Sequence, residues 1–396
     1  MISLASGTTS LEKFDAMKVQ IALVGGQPAP VEKAIKALSP DLVVFIYSES
    51  SRDVVNRISQ NITCGIEPSD PLDPTDPVLI SARADELARK YAEDDVFLNI
   101  SGGLKSWSHL FGVRFHSMPH ATVIYVDQNN VLWNYRTMSG SPVQDVDLSR
   151  HVNLYGQTFS FNLLSDYNEA DRRVAEQVWQ ARGFYTEEFN KLTSLFPSAY
   201  RRAWTHALRF QHASNFSLPS GSFLQWERPR EGNSTARVCL LKKKGVSFDV
   251  FLESPHAVDL VFNSGWFEYR VASILSRWKN ARKVYMNCVF KSRKAQDKNE
   301  VDIIVEAANR FLFVECKTKI NSSTDVDKFN SVVKAYSGTA SLSIFISDIQ
   351  LDDVSLEKCR QYGILEPFAF AGDYSGKKAD ALFARLDEAL NRINPK

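Results

Sequence analysis

Glu300-Val-Asp-Ile-Ile-Val-Glu-Ala-Ala-Asn-Arg-Phe-Leu-Phe-Val-Glu-Cys-Lys317 is the stretch on which the reading of this chain turns. Glu300–Glu306 and Phe311–Lys317 are rich in Val, Ile and Phe, and the short Ala307–Arg310 connection carries Asn309 as a turn residue, so they read as a strand pair. Side chains alternate between the faces of a strand. Val301, Ile303 and Val305 should then share one face, and Glu300 and Asp302 the other. In the second strand Leu312, Val314 and Cys316 fall together, opposite Phe311, Phe313, Glu315 and Lys317. Pairing brings two carboxylates and a lysine to one end of a buried hairpin. Carboxylates gathered beside apolar residues repel each other and lose hydration, so they are costly without a cation. Hard oxygen donors suit Mg2+ or Mn2+. The chemistry that needs such a set is phosphodiester hydrolysis, with a lysine orienting the attacking water or stabilising developing negative charge. A solvated hairpin face with ordinary surface charges is the competing reading, and two charged strands alone would favour it.

The flanking order shifts that balance. Trp266–Trp278 reads as a helix, Lys283–Lys291 as a strand, Val326–Tyr336 as a helix and Leu342–Ser347 as a strand, with a final helix near Lys377–Asn391. Asp302 with Glu315-Cys-Lys317, preceded by Gly265-Trp-Phe-Glu268, resembles the PD-(D/E)xK nuclease superfamily from about Gly265 to Ser347. The resemblance implies catalytic roles for Glu268, Asp302, Glu315 and Lys317. It implies Glu268, Asp302, Glu315 and the carbonyl of Cys316 as metal ligands, with Lys317 serving the attacking water. Glu300 is expected behind the ligands or at the strand edge.

Toward the N-terminus, Val19–Val24, Leu42–Tyr47, Val96–Ile100 and Thr122–Val126 are short apolar runs of the kind buried on both faces of a sheet. Helical segments at Val31–Leu38, Arg52–Gln60, Val78–Ala92 and Leu104–Phe115 separate them, which predicts a parallel, Rossmann-like sheet. Pro68–Pro77 reads as a surface loop, and Asn129-Asn130 as a turn into an added strand, Val131–Tyr135. Neither GxGxxG nor GxxxxGK[ST] occurs, so dinucleotide and P-loop sites are unsupported. Instead Gly25-Gly26-Gln27 follows the first strand and Asn99-Ile-Ser-Gly-Gly-Leu-Lys105 a later one. Glycines allowing close approach, a helix start and a lysine suit a phosphate. A tight turn with Ser101 as helix cap explains the second loop equally well.

These two loops resemble CARF domains, the CRISPR-associated Rossmann-fold sensors. A CARF domain followed by a PD-(D/E)xK domain looks like the cyclic-oligoadenylate-activated nucleases of type III CRISPR defence. The resemblance implies cyclic tetra-adenylate as activator and a homodimer that binds the ring across its two-fold axis. The pocket residues matching it are Gly25, Gly26, Gln27, Ser48, Glu49, Asn99, Ser101, Gly102, Gly103 and Lys105.

The rest of the chain bounds these readings. Its 396 residues suggest two or three domains, and 44% hydrophobic with 23% charged residues is ordinary globular composition. A net charge of +1 gives no global argument for a nucleic-acid partner. Five scattered cysteines without a CxxC pair fit a reducing, cytoplasmic setting. No apolar run reaches the length of a membrane span. The expected division is a disordered extension over 1–16, a CARF domain over 17–150, a connector over 151–260, helical or winged-helix-like, and a nuclease domain over 261–396. Asn168–Ala181 and Ala199–Gln211 read as helices in that connector, and Pro229–Asn233 and Lys242–Gly245 as turns flanking short strands. Lys242–Lys244 and Lys291–Lys294 are short basic runs, of which only the second adjoins the proposed active-site strand; Arg201, Arg202 and Arg209 form a basic helix face or its solvent side. His116 and His120 have ligand spacing, but Pro119 between them favours surface residues. The leading expectation is a metal-dependent nuclease acting on DNA, RNA or both under control of the cyclic ligand. A restriction- or repair-type DNA nuclease indifferent to that ligand, and a non-catalytic sensor, are the alternatives.

Overall fold

The computed structural model describes residues 16–144, 147–196, 212–243, 245–262, 264–291, 297–308, 310–318, 323–336 and 341–393. The expected helix Ala199–Gln211 with its three arginines, Lys244, Ser292–Lys294 and Asn309 lie outside them, as do residues 1–15. The chain divides into two compact units, 1–146 and 147–396.

The first unit runs β1 (Lys18–Val24), α1 (Pro28–Leu38), β2 (Leu42–Tyr47), α2 (Arg52–Ser59), β3 (Gly65–Glu67), α3 (Pro77–Lys90), β4 (Asp95–Asn99), α4 (Lys105–His116), β5 (Ala121–Val126), β6 (Val131–Asn134) and β7 (Ser139–Pro142). Its sheet has the order β3-β2-β1-β4-β5-β6-β7, with the first five strands parallel and the last two added antiparallel. This is the Rossmann-like layout the alternating runs predict. Strand order reverses between β1 and β4, and such a switch point leaves a crevice at the carboxyl ends of the strands. Asn130 adopts φ 57° in the tight turn before β6, a conformation Asn tolerates.

The second unit runs α5 (Leu148–Leu154), β8 (Thr158–Leu163), α6 (Glu169–Phe184), α7 (Thr186–Ser194), β9 (His212–Ser217), β10 (Phe223–Arg228), β11 (Ser234–Leu241), β12 (Ser247–Ser254), α8 (Ala257–Val261), α9 (Gly265–Leu275), β13 (Ala281–Lys291), β14 (Asp297–Ala307), β15 (Arg310–Lys317), α10 (Thr324–Tyr336), β16 (Leu342–Ser347), α11 (Asp353–Gln361), β17 (Leu365–Ala369) and α12 (Gly376–Ile393). A six-stranded mixed sheet, β17-β16-β15-β14-β13-β8, forms its centre, and β12-β11-β10-β9 form a separate antiparallel sheet.

Two apolar layers cover the central sheet. On one face Phe267, Val271 and Leu275 of α9 and Leu382 and Leu386 of α12 pack on Ile303, Val305, Leu312 and Val314. On the other, Leu148 and Val152 of α5, Phe329 of α10 and Cys359 of α11 pack on Tyr285, Phe290, Phe311 and Phe313. The first layer continues without a break into Leu224, Trp226, Val238 and Leu252 of the small sheet and Val174 and Val178 of α6. The expected boundary between a connector, 151–260, and a nuclease domain, 261–396, is therefore not a break in the packing. Strand β8 pairs with β13 at the sheet edge, and the four-stranded sheet shares the core under α9. Neither purely helical content nor a winged helix describes this region. Among the described residues no helix is long and apolar enough to cross a membrane.

Candidate active site

Hairpin β14–β15 supplies the centre of the site, but strict alternation does not hold along it. In β13, Val284 and Met286 join the layer under α9, whereas Tyr285, Cys288 and Phe290 join the opposite layer. In β14, Ile303 and Val305 join the α9 layer, whereas Val301 joins the other. Both strands thus change sense at one level, between the pairs Met286–Ile303 and Cys288–Val301. Asn287 lies at that level with φ 51°, the left-handed conformation that disrupts a regular ladder. The expectation that Val301 shares a face with Ile303 and Val305 is corrected by this kink.

Asp302 stands opposite Asn287, and the kink turns both to a cleft of about 1080 Å3. Backbone pairing of β14 with β15 ends at Ile303–Val314. Beyond it the Asp302 carboxylate takes over the ladder, its Oδ2 accepting from the Cys316 N–H at 2.6 Å. Glu315 Oε1 meets Lys317 Nζ at 2.6 Å. Glu268 enters from the first turn of α9 and borders the same cleft with Asp302, Cys316 and Lys317. Gly265 sets the approach of that helix, because a Cβ there would lie 2.1 Å from the Asp259 carbonyl oxygen.

The electrostatics follow from burying three carboxylates with one ammonium. Burial, then Asp302 and Glu300, push the Glu268 pKa well above the ordinary carboxylate range. Burial also raises Asp302, against the pull of Lys317 and the Cys316 N–H. Burial and Asp302 raise Glu315 to about 8, with Lys317 opposing. Burial disfavours the Lys317 ammonium, yet Asp302 and Glu315 outweigh it and hold it charged. Glu300, exposed on β14, borders the cleft as expected of a neighbour to the ligands.

This excess of buried negative charge fits a divalent cation by donor type and by field. Among the described residues, no three His, Cys, Asp or Glu side chains already stand as a ready cage. Glu315 is engaged with Lys317 and Asp302 with Cys316, so the fit is one of donor chemistry.

In the first unit the expected pocket residues gather at the β1/β4 switch point. Their glycines serve the fold directly: a Cβ on Gly25 would lie 2.2 Å from the Gly102 carbonyl oxygen, and one on Gly102 2.6 Å from Val31 Cγ2. The two loops rest on each other, so close backbone approach is explained without a ligand. Ser101 is not the helix cap. Its hydroxyl donates to Asn99 Oδ1 at 2.6 Å and accepts from the Val126 N–H at 2.8 Å, while α4 begins only at Lys105. Gly26, Gln27, Glu49 and Lys105 are exposed; Gly103 is half-buried. Ser48 is buried against the hydroxyls of Ser50 and Ser51, and Glu49 pairs with Arg52 at 2.8 Å.

Solved structures share the fold of these elements. Can2 from Sulfobacillus thermosulfidooxidans, solved in complex with cyclic tetra-adenylate, superposes with a TM-score of 0.65 over 95% of this chain and 98% of that one, at 18% identity. This chain has the Can2 fold. Protein VC1899 from Vibrio cholerae shares it as well, with a TM-score of 0.62 at 14% identity over 95% and 98% of the two chains. No protein-family model matches the sequence, and no curated protein does.

Within the Can2 fold of this chain, sequence reasoning missed several cleft residues: Asn287, Tyr167, Arg228, His256 and Asp259. No motif joins them, and only Arg228, at the end of β10, lies in the small sheet. Of the short basic runs, Lys291 borders the cleft, whereas Lys242 stacks its ammonium over Phe184 at 4.4 Å.

Proposed function

We propose that this chain is a metal-dependent nuclease activated by cyclic tetra-adenylate, acting as a cytoplasmic homodimer in type III CRISPR antiviral defence. The observation that carries the reading is that Glu268 of α9 borders one cleft with Asp302 and Lys317 of the kinked hairpin, with Glu315 paired to Lys317. Glu268, Asp302, Glu315 and the carbonyl of Cys316 would hold Mg2+ or Mn2+, which when bound polarises a phosphoryl oxygen and acidifies a water. Lys317, kept charged by its carboxylate neighbours, orients the attacking water and offsets negative charge developing on the phosphoryl group. The Asp302 contact to Cys316 holds that carboxylate in place before substrate arrives. Support for the activator is the cyclic tetra-adenylate bound by Can2, together with the exposed Gly26, Gln27 and Lys105 in the loops that follow β1 and β4. The substrate is DNA or RNA.

Incubating the full chain with Mn2+ and labelled DNA or RNA, with and without each cyclic oligoadenylate ring size, tests this. Cleavage that rises with cyclic tetra-adenylate is the expected result. Equal cleavage with and without every ring would leave a ligand-independent DNA nuclease. Ligand binding without any cleavage would leave a sensor.

A further inference from the structure

The cleft is also bordered by Tyr167, Arg228 and His256, polar side chains that the cleavage chemistry does not use. Asp171, in the first turn of α6, is fully buried, and its Oδ1 accepts from the His256 N–H at 3.1 Å. Its Oδ2 accepts from the Asn168 N–H at 2.8 Å and faces His256 Nδ1 at 3.2 Å. Burial alone would raise the Asp171 pKa, but hydrogen bonds from His256 and Asn168 outweigh it and hold the carboxylate ionised. An ionised carboxylate only accepts, so the hydrogen sits on His256 Nδ1 and fixes the ring's orientation. Tyr167 fixes its plane, stacking at 4.0 Å between ring centroids with 23° between planes. The imidazole remains one-fifth exposed and borders the cleft with Arg228, Glu268, Asp302 and Lys317. With Nδ1 committed to Asp171, Nε2 is the nitrogen left for a cleft occupant.

A histidine held on both sides and presented to a cleft is costly to order unless something is bound there. The charged groups packed around it are Asp171 on α6, Asp259 on α8 and Arg228 on β10, with the Tyr167 ring across its face. We propose that His256 is a substrate-binding residue that, as an imidazolium protonated on both ring nitrogens and balanced by Asp171, donates from Nε2 to a backbone phosphate of the nucleic acid, and that Asp171 is its positioning residue. This deepens, and rests on, the nuclease reading. The histidine contacts a phosphate beside the one being cleaved, so it governs substrate affinity rather than the chemical step.

The test uses the full chain, with binding read by fluorescence anisotropy on short labelled DNA and RNA strands. Substituting His256→Ala should weaken binding about ten-fold, as expected for losing one hydrogen bond to a charged group. It should also reduce the salt dependence of log K by about one phosphate contact. In cleavage assays KM should rise while kcat stays within a small factor of wild type. Asp171→Asn, checked for folding by its Tm because Asp171 also caps α6, should raise KM in the same direction. Unchanged affinity and KM in a folded His256→Ala protein would overturn the assignment. So would weaker binding with an unaltered salt slope, or a fall confined to kcat. Failure of the wild-type protein to bind or cleave any nucleic acid would instead overturn the nuclease reading and this assignment together.

Discussion

The backbone N–H of Cys316 donates to Asp302 Oδ2 at 2.6 Å, so one carboxylate both borders the cleft and closes the end of the β14–β15 ladder. Removing it does two separable things. Asp302→Ala should abolish cleavage and also lower stability by about 1–3 kcal/mol, because a buried N–H loses its acceptor. Asp302→Asn keeps an acceptor oxygen and should abolish cleavage at near wild-type Tm. Denaturation curves alongside a cleavage assay separate the two; equal destabilisation by both substitutions would refute the capping role.

Glu315→Ala, Glu268→Gln and Lys317→Ala should each reduce cleavage by about 100-fold or more, in the range for losing a charge-stabilising group. The metal reading adds a measurement independent of activity. Mn2+ should raise the Tm of the wild-type chain, since binding to the folded state alone is stabilising. That rise should shrink sharply in Asp302→Ala and Glu315→Ala. An equal rise in all three would place the cation elsewhere.

Asn287 at φ 51° is the partner of the kink that turns Asp302 to the cleft. Glycine accepts that conformation freely, whereas a β-branched residue disfavours it by about 1–2 kcal/mol. Asn287→Gly should keep most of the cleavage rate. Asn287→Val should lose stability and cleavage together as the strands revert toward regular alternation. Full activity in Asn287→Val would show that the kink is dispensable.

Asp259 gives a pH prediction clear of the metal ligands. Burial raises its pKa from the ordinary 3.8 to about 6, although Arg228, at 3.5 Å, pulls the other way. For a raised folded pKa, the stabilising contribution is complete below the unfolded value and is lost as pH rises through the folded one. Relative to Asp259→Asn, the wild type should therefore lose about 2 kcal/mol of stability between pH 4 and 6. Urea titrations of both proteins across that window check it. A flat difference would mean that Asp259 keeps its solution pKa.

At the switch point two residues of the Asn99–Lys105 loop predict different failures. Lys105 is exposed, so Lys105→Ala should leave the Tm unchanged while raising the cyclic tetra-adenylate concentration needed for cleavage. Gly102→Val should lower the Tm itself, since its side chain would enter the space of Val31 and the Leu23 carbonyl. Calorimetry with the cyclic ligand and a thermal melt distinguish the two effects.

These contrasts show what was legible in the sequence. The parallel strands of the first unit and the helix–hairpin order around Glu268, Asp302 and Lys317 were readable because buried runs of Val and Ile and local turn residues report neighbours along the chain. Of the four-stranded sheet the turns at Pro229–Asn233 and Lys242–Gly245 and the short strands beside them were readable, but not their union in one sheet, because its core comes from α6 and α8. Strand β8 was missed for a related reason: its partner, β13, is more than a hundred residues away. The kink at Asn287 was invisible because a left-handed asparagine in mid-strand leaves no signature in hydrophobic pattern. The glycines of the two N-terminal loops were noticed, but sequence could not tell a loop that approaches a ligand from one that approaches another loop.

The edge pairing of β8 with β13 has a practical consequence for anyone wishing to transplant the cleavage activity onto another sensor. The motif begins near Gly265, yet the smallest transferable piece begins near Asp147. Cutting nearer the motif would strip the outermost strand from the central sheet and bare Phe290 and Tyr285, on which Phe159 stacks and which Phe161 meets edge-on, respectively. It would also bare the long edge of β13, which then becomes a template for pairing between molecules. Such a fragment should precipitate before its chemistry can be assayed, whereas a graft joined at Asp147 carries its own edge protection with it.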